Sequence, residues 1–142
     1  MKIATFNING IKARIEALPA WLTAAQPDVV CLQEIKSVDE GFPRGLFEDM
    51  GYRVETHGQK SFNGVAILSK LPLEDVTRGL AGDDSDEQAR WIEATVIGAR
   101  AVRVCDQVKQ LGQVVGCVRR ELPERLEWNM IEGCLVRRPH QD

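Results

Sequence analysis

The chain has no C-x-x-C pair. Its four cysteines, Cys31, Cys105, Cys117 and Cys134, are scattered and have no companion histidines at metal-ligand spacing. That argues against a zinc site and a disulfide framework, and leaves reduced thiols as the better reading. No apolar run approaches the length of a membrane span, so no membrane partner is expected. The opening Met1-Lys2-Ile3-Ala4-Thr5-Phe6-Asn7 lacks the apolar core and small-residue cleavage site of a signal peptide, and a cytoplasmic setting is expected. Positive charge is not in excess either: the formal net charge is −3 and the pI about 5.5. The chain as a whole therefore carries no basic footprint for nucleic acid, although cations gathered on one face serve the same purpose. There is no internal repeat and no low-complexity segment.

What remains is an ordinary globular composition. The 142 residues are 44% hydrophobic and 27% charged, enough for one domain with a real core. Lys2 to Phe6 reads as a buried strand feeding the polar Asn7-Ile8-Asn9-Gly10. Ile11, Ile15, Leu18 and Leu22 form the stripe of an amphipathic helix, which Pro19 interrupts or restarts. Gln26-Pro27-Asp28 is a turn, and Val29 to Leu32 a second buried strand that ends in Gln33-Glu34-Ile35-Lys36. Pro43 to Met50 predicts a short helix, with Gly51 as its left-handed terminal residue. Strands follow at Tyr52 to His57, Val65 to Ser69, Leu73 to Arg78, Trp91 to Ile97 and Ala101 to Cys105, with an acidic surface loop, Gly82 to Glu87, among them. Beyond Cys105, Leu122, Leu126, Met130 and Cys134 recur every four residues, which predicts an amphipathic helix ahead of a polar tail, Val136 to Asp142. Many strands and few helices give a mixed α/β sandwich.

Two polar constellations follow buried strands, Phe6-Asn7-Ile8-Asn9-Gly10 and Leu32-Gln33-Glu34-Ile35-Lys36. A strand end is rigid enough to hold a carboxylate or amide to the tolerance a metal needs. Magnesium prefers oxygen and takes one or two protein carboxylates beside waters and phosphate oxygens, so Glu34 suits a direct ligand and Asn7 a second oxygen ligand or a phosphate donor. The plainer alternative is a solvated strand-end glutamate and an Asn-Gly turn. His57, at a strand end, reads as structural, Trp21 and Trp91 as core, and Gly64 as a residue serving backbone geometry.

The same residues carry a resemblance. Phe6-Asn7-Ile8-Asn9-Gly10-Ile11 and Pro27-Asp28-Val29-Val30-Cys31-Leu32-Gln33-Glu34-Ile35-Lys36 come first, followed by Phe42-Pro43, Gly51-Tyr52 and His57-Gly58-Gln59-Lys60. Asn63-Gly64-Val65-Ala66-Ile67-Leu68-Ser69, Gly82-Asp83-Asp84 and Ala89-Arg90 complete the series. In this order the chain resembles the exonuclease III branch of the endonuclease/exonuclease/phosphatase superfamily over about residues 1–105. The resemblance implies a DNase I-like four-layer αββα sandwich, of which residues 1–105 are the N-terminal half, and a magnesium-dependent DNA-repair nuclease, with manganese as a substitute ion. The implied substrates are phosphodiesters at 3′ ends and abasic sites of double-stranded DNA. Glu34 and Asn7 are implied as the catalytic and metal-binding pair, and Asn9, Lys36, Lys60 and Arg90 as contacts to the DNA backbone. Judged without the family, Lys36 and Lys60 are solvated surface charges, and Arg90 a neutraliser of the acidic loop before it. A reading within the same superfamily takes phosphoinositides, sphingolipids or RNA tails as substrate, but Gly58-Gln59-Lys60 and Asn63-Gly64-Val65-Ala66 favour the DNA-repair branch.

The resemblance stops after Arg103-Val104-Cys105. Where the family continues with a tyrosine-bearing loop and an Asn/Gln-Gly turn, this chain reads Asp106-Gln107-Val108-Lys109, and its only tyrosine is Tyr52. The later aspartate–asparagine pair and Asp-His constellation have no counterpart; His140 beside Asp142 does not sit in that motif. Residues 106–142 are accordingly expected to be an unrelated, divergent tail with one helix, and the nuclease to be truncated and impaired. The alternative is a non-catalytic fragment that folds partly or self-associates through an exposed sheet edge.

Overall fold

A computed structural model describes residues 1–79, 82, 84–98, 101–108, 114–122 and 125–131; at residues 102, 103 and 105 onward the description is of the backbone. Two sheets form. Strands β1 (Ile3–Asn7), β2 (Val29–Gln33), β3 (Arg53–His57) and β4 (Val65–Ser69) make a four-stranded sheet in the order β1-β2-β4-β3. Strands β5 (Leu73–Arg78), β6 (Trp91–Ile97), β7 (Ala101–Val108), β8 (Val114–Leu122) and β9 (Arg125–Ile131) make a five-stranded meander. Among the described residues only the β1–β2 pair is parallel; the other pairs are antiparallel.

The first sheet is an inner layer, which explains why β2 and β4 read as unbroken apolar runs. Successive side chains on a strand point to opposite faces. Val30, Leu32, Ala66 and Leu68 pack on one side against Leu18, Leu22 and Phe47 of α1 (Ala17–Ala25) and α2 (Arg44–Asp49). Val29, Cys31, Val65 and Ile67 pack on the other side against Ile92, Ala94, Val96 and Val104 of the second sheet. Each valine, leucine, isoleucine and phenylalanine among them contributes about 1.5–3 kcal/mol when taken fully out of water. On β6 the buried Ile92, Ala94 and Val96 alternate with half-buried Trp91, Glu93, Thr95 and Ile97. Among the described residues no helix covers that outer face, so three of the four expected layers are present.

The helical stripe from Ile11 to Leu22 divides as Pro19 requires. A 3-10 turn at Lys12–Arg14 precedes α1, and Pro19 falls in the first turn of α1, where its missing N–H forgoes no helical bond. Gly51, with φ +91°, follows α2 as expected. The Tyr52 hydroxyl donates to the Pro27 carbonyl at 2.8 Å; burial, with Asp28 nearby, raises the phenol above its ordinary pKa. The helix expected over Leu122 to Cys134 is not formed in its described part: Leu122 ends β8 and Arg125–Ile131 is β9, paired with each other from Leu122↔Arg125 onward. A spacing of four is an even number, so it keeps residues on one strand face as readily as on one helix face. Pairing with β7 and β8 decides between them. The tail from Val136 to Asp142 lies outside the described residues.

Candidate functional site

The parallel register of β1 and β2 aligns Asn7 with Gln33, so both strands end at one rim and Glu34 follows beside Asn7. Beneath the rim the buried Gln33 amide donates to the Thr5 hydroxyl at 2.8 Å, tying β2 to β1 side chain to side chain, and to the Cys31 carbonyl of its own strand at 3.2 Å. Past the rim the two loops continue the pairing. The N–H groups of Ile8, Gly10 and Ile11 donate to the carbonyls of Gln33, Glu34 and Ile35 at 3.1, 2.8 and 2.9 Å.

Three non-glycine residues in these loops adopt left-handed backbone: Asn9 (φ +46°), Glu34 (φ +52°) and Lys36 (φ +50°). Such conformations cost on the order of 1–3 kcal/mol each and persist where surroundings impose them. Here the surroundings are explicit. The Asn7 side-chain oxygen accepts the Asn9 N–H at 2.9 Å. The Lys36 ammonium donates to the Asn9 side-chain oxygen and lies 4.0 Å from the Glu34 carboxylate, bridging the two loops. The N–H groups of Ile35 and Lys36 donate to the carbonyls of Gly64 and Asn63 at 3.1 and 3.0 Å. Gly64, at φ +83°, approaches so closely that a Cβ there would lie 2.6 Å from Ile35 Cγ1. Its place in the fold is therefore one of backbone geometry.

The structure brings Asn7, Asn9, Glu34 and Lys36 together. Lys60 is exposed on the loop between β3 and β4 and makes no ion pair among the described residues. Arg90 is engaged elsewhere: its guanidinium meets Asp86 at 3.0 Å. The Gln88 backbone N–H, with the Arg90 guanidinium beside it, holds the Asp86 carboxyl below the usual carboxylate range. His57 Nδ1 lies 3.0 Å from the Trp91 carbonyl. A carbonyl only accepts, so Nδ1 carries the proton and the imidazole joins β3 to β6. Trp21 packs edge-on to Phe6 at 5.5 Å beside the helical core.

Sequence reasoning missed three side chains. The Asn63 amide donates to the side-chain oxygens of Gln88 at 2.8 Å and Gln59 at 3.3 Å. Gln59 in turn donates to Gln88 at 3.2 Å. The one available signal was Asn63 ahead of Gly64, since asparagine tolerates left-handed backbone; its φ is +46°.

As to metal ligands, the rim offers the Glu34 carboxylate, whose side chain is 28% exposed, and the Asn7 amide oxygen. No group of three or more His, Cys, Asp and Glu side chains gathers among the described residues. A set of one carboxylate and one amide oxygen fits magnesium, which fills its remaining positions with waters and phosphate oxygens, better than it fits zinc.

Comparison with known proteins supplies the family and the fold. The profile of the endonuclease/exonuclease/phosphatase family matches residues 4–138, a span that runs past Cys105 into the segment expected to diverge. The chain is 48% identical over 94 residues to exodeoxyribonuclease III of Haemophilus influenzae, covering 66% of this chain and 35% of that protein. Among solved structures, it is similar to the 3′ phosphatase NExo from Neisseria bound to a product DNA hairpin, with a TM-score of 0.70 and 40% identity, over 74% of this chain and 40% of that one. It is also similar to an AP endonuclease from Archaeoglobus fulgidus, with a TM-score of 0.65 and 41% identity, over 69% of this chain and 38% of that one. The chain thus spans 35–40% of the length of these relatives.

Proposed function

The chain belongs to the endonuclease/exonuclease/phosphatase family, and on that footing we propose that it carries the metal- and phosphate-binding part of an exodeoxyribonuclease III-like DNA-repair nuclease. The observation that supports this is the parallel β1–β2 register, which pairs Asn7 with Gln33 and so brings Glu34, one residue on, to the same rim. The proposed substrate is double-stranded DNA with abasic sites or 3′ ends, in keeping with relatives described as an AP endonuclease and as a 3′ phosphatase bound to DNA.

Glu34 and the Asn7 oxygen would hold magnesium, with manganese as a substitute; when bound, the ion polarises the scissile phosphate and offsets charge on the leaving oxygen. The Asn7 amide nitrogen is a donor for a phosphate oxygen. Lys60 contacts the DNA backbone from its exposed loop. Lys36, engaged with Asn9 and Glu34, draws the two loops together at the rim, and Arg90 reaches phosphate only by exchanging Asp86 for it.

A second reading, a non-catalytic unit that self-associates through a sheet edge, has its own observation. The described rim supplies one carboxylate, and no group of three or more His, Cys, Asp and Glu side chains gathers among the described residues, a sparse set for general acid–base chemistry. Incision of a duplex bearing an abasic-site analogue, with magnesium or with chelator, separates the two. Magnesium-dependent incision that Glu34→Ala abolishes supports the nuclease. Absence of incision from a chain that sediments as an oligomer supports the second reading.

A further inference from the structure

We propose that Asn63, held by Gln59 and Gln88, is a positioning residue for Glu34; this rests on the reading of the rim as a metal site. The case begins at the Glu34 backbone. Glu34 and Lys36 both sit in left-handed conformations that their residue types disfavour, so neighbours must fix them. Among the described residues, the N–H groups that follow Glu34 are held by the Gly64 and Asn63 carbonyls, at 3.1 and 3.0 Å. The Gly10 N–H braces Glu34 from the β1 side, through the Glu34 carbonyl, and the placement of residues 63 and 64 braces it from the other.

Asn63 is itself left-handed, and its amide is the hub of the three-amide cluster. Gln59 accepts the Ala89 N–H at 2.9 Å through the oxygen that also accepts from Asn63. That backbone donor fixes which way the Gln59 amide faces. Gln59 then presents its nitrogen to the Gln88 oxygen, and Asn63 must present its nitrogen to both. The Gly64 N–H donates to the Ala89 carbonyl at 2.8 Å, closing the path. Three segments distant in sequence (34–36, 59–64 and 86–90) are thus joined at one residue. Removing the Asn63 amide frees the 59–64 loop to shift, and the Glu34 carboxylate moves with it.

The test uses manganese binding by the full chain, followed by the paramagnetic resonance of free Mn2+, with urea unfolding to verify folding. Asn63→Gly keeps left-handed backbone without strain and removes the amide; Gln88→Ala removes the shared acceptor from an exposed residue. Both are expected to weaken Mn2+ binding by about tenfold, the lower end of the range for residues that orient metal ligands. Ser61→Gly, in the same loop at φ +68° but outside the cluster, is expected to bind as the unmodified chain does. Unchanged affinity in folded Asn63→Gly and Gln88→Ala overturns the proposal; if Asn63→Gly does not fold, Gln88→Ala alone decides. Glu34→Ala separates the two levels. If it binds Mn2+ as tightly as the unmodified chain, the metal reading itself fails and takes the proposal with it. If it loses binding while the cluster variants keep it, only the positioning role fails.

Discussion

Replacing Gly64 by alanine puts a number on the packing behind the rim. The residue has φ +83°, and a Cβ would stand 2.6 Å from Cγ1 of Ile35, a side chain with no exposed surface. Two effects add. Left-handed backbone costs a non-glycine residue about 1–2 kcal/mol. Forcing Ile35 aside in a filled core costs about 1–3 kcal/mol more. Together they lower stability by about 2–5 kcal/mol, and with a urea slope of about 2 kcal/mol per molar the midpoint falls by about 1–2.5 M. Gly51→Ala is the control. That glycine has φ +91° with nothing within 4 Å of its would-be Cβ, so only the backbone effect applies. The difference between the two variants is the Ile35 contact. Ile35→Ala in the Gly64→Ala background removes it, and the double variant should be more stable than the sum of the singles predicts. Equal midpoints for Gly64→Ala and Gly51→Ala would refute the close approach, and with it the account of how the Glu34 loop is braced.

Two further outcomes follow from the other braces. The Arg78 guanidinium donates to the Thr56 carbonyl at 2.7 Å and to Glu55 at 2.6 Å, clasping the β3 edge to β5. Both charged side chains are partly exposed, so the ion pair itself counts for little; Arg78→Ala should lower stability by about 1–2 kcal/mol, chiefly through the carbonyl bond, as read from the urea midpoint, and no change would refute the clasp. The Asp86 carboxyl titrates below its ordinary range when folded. Its stabilising effect is therefore present above the unfolded pKa of about 3.9 and is lost as pH falls through the folded value. Asp86→Asn should be less stable than the unmodified chain at neutral pH, with the gap closing in acid; a gap independent of pH would contradict the assignment.

Much of the fold was legible in strand patterns, from the unbroken apolar runs of β2 and β4 to the alternation along β6. Val65–Ser69, Leu73–Arg78 and Trp91–Ile97 are strands with the bounds their residues predict. The failure at Leu122 to Ile131 has a physical cause: a four-residue spacing satisfies both periods, and only pairing with β7 and β8 selects the strand. Asn7 and Glu34 were legible as strand-end residues, whereas their adjacency depends on the β1–β2 register, which no local pattern reveals. Left-handed Glu34 and Lys36 carry no glycine to announce them. The Gln59–Asn63–Gln88 cluster joins side chains up to 29 positions apart, and its bonds exist only once β4 and β6 are in place. Arg90 shows the converse: the resemblance implied a DNA contact, the residues alone a neutraliser of the acidic loop before it, and Asp86 of that loop meets its guanidinium.

The claim that the β1–β2 rim holds a divalent cation is tested most directly by urea unfolding of the chain, followed by tryptophan fluorescence with and without magnesium. Binding to the folded state at a hundred times the dissociation constant adds about 2.7 kcal/mol. The account predicts an upward shift of the midpoint in the unmodified chain and none in Glu34→Ala. A shift of equal size in both, or no shift in the unmodified chain, would contradict it.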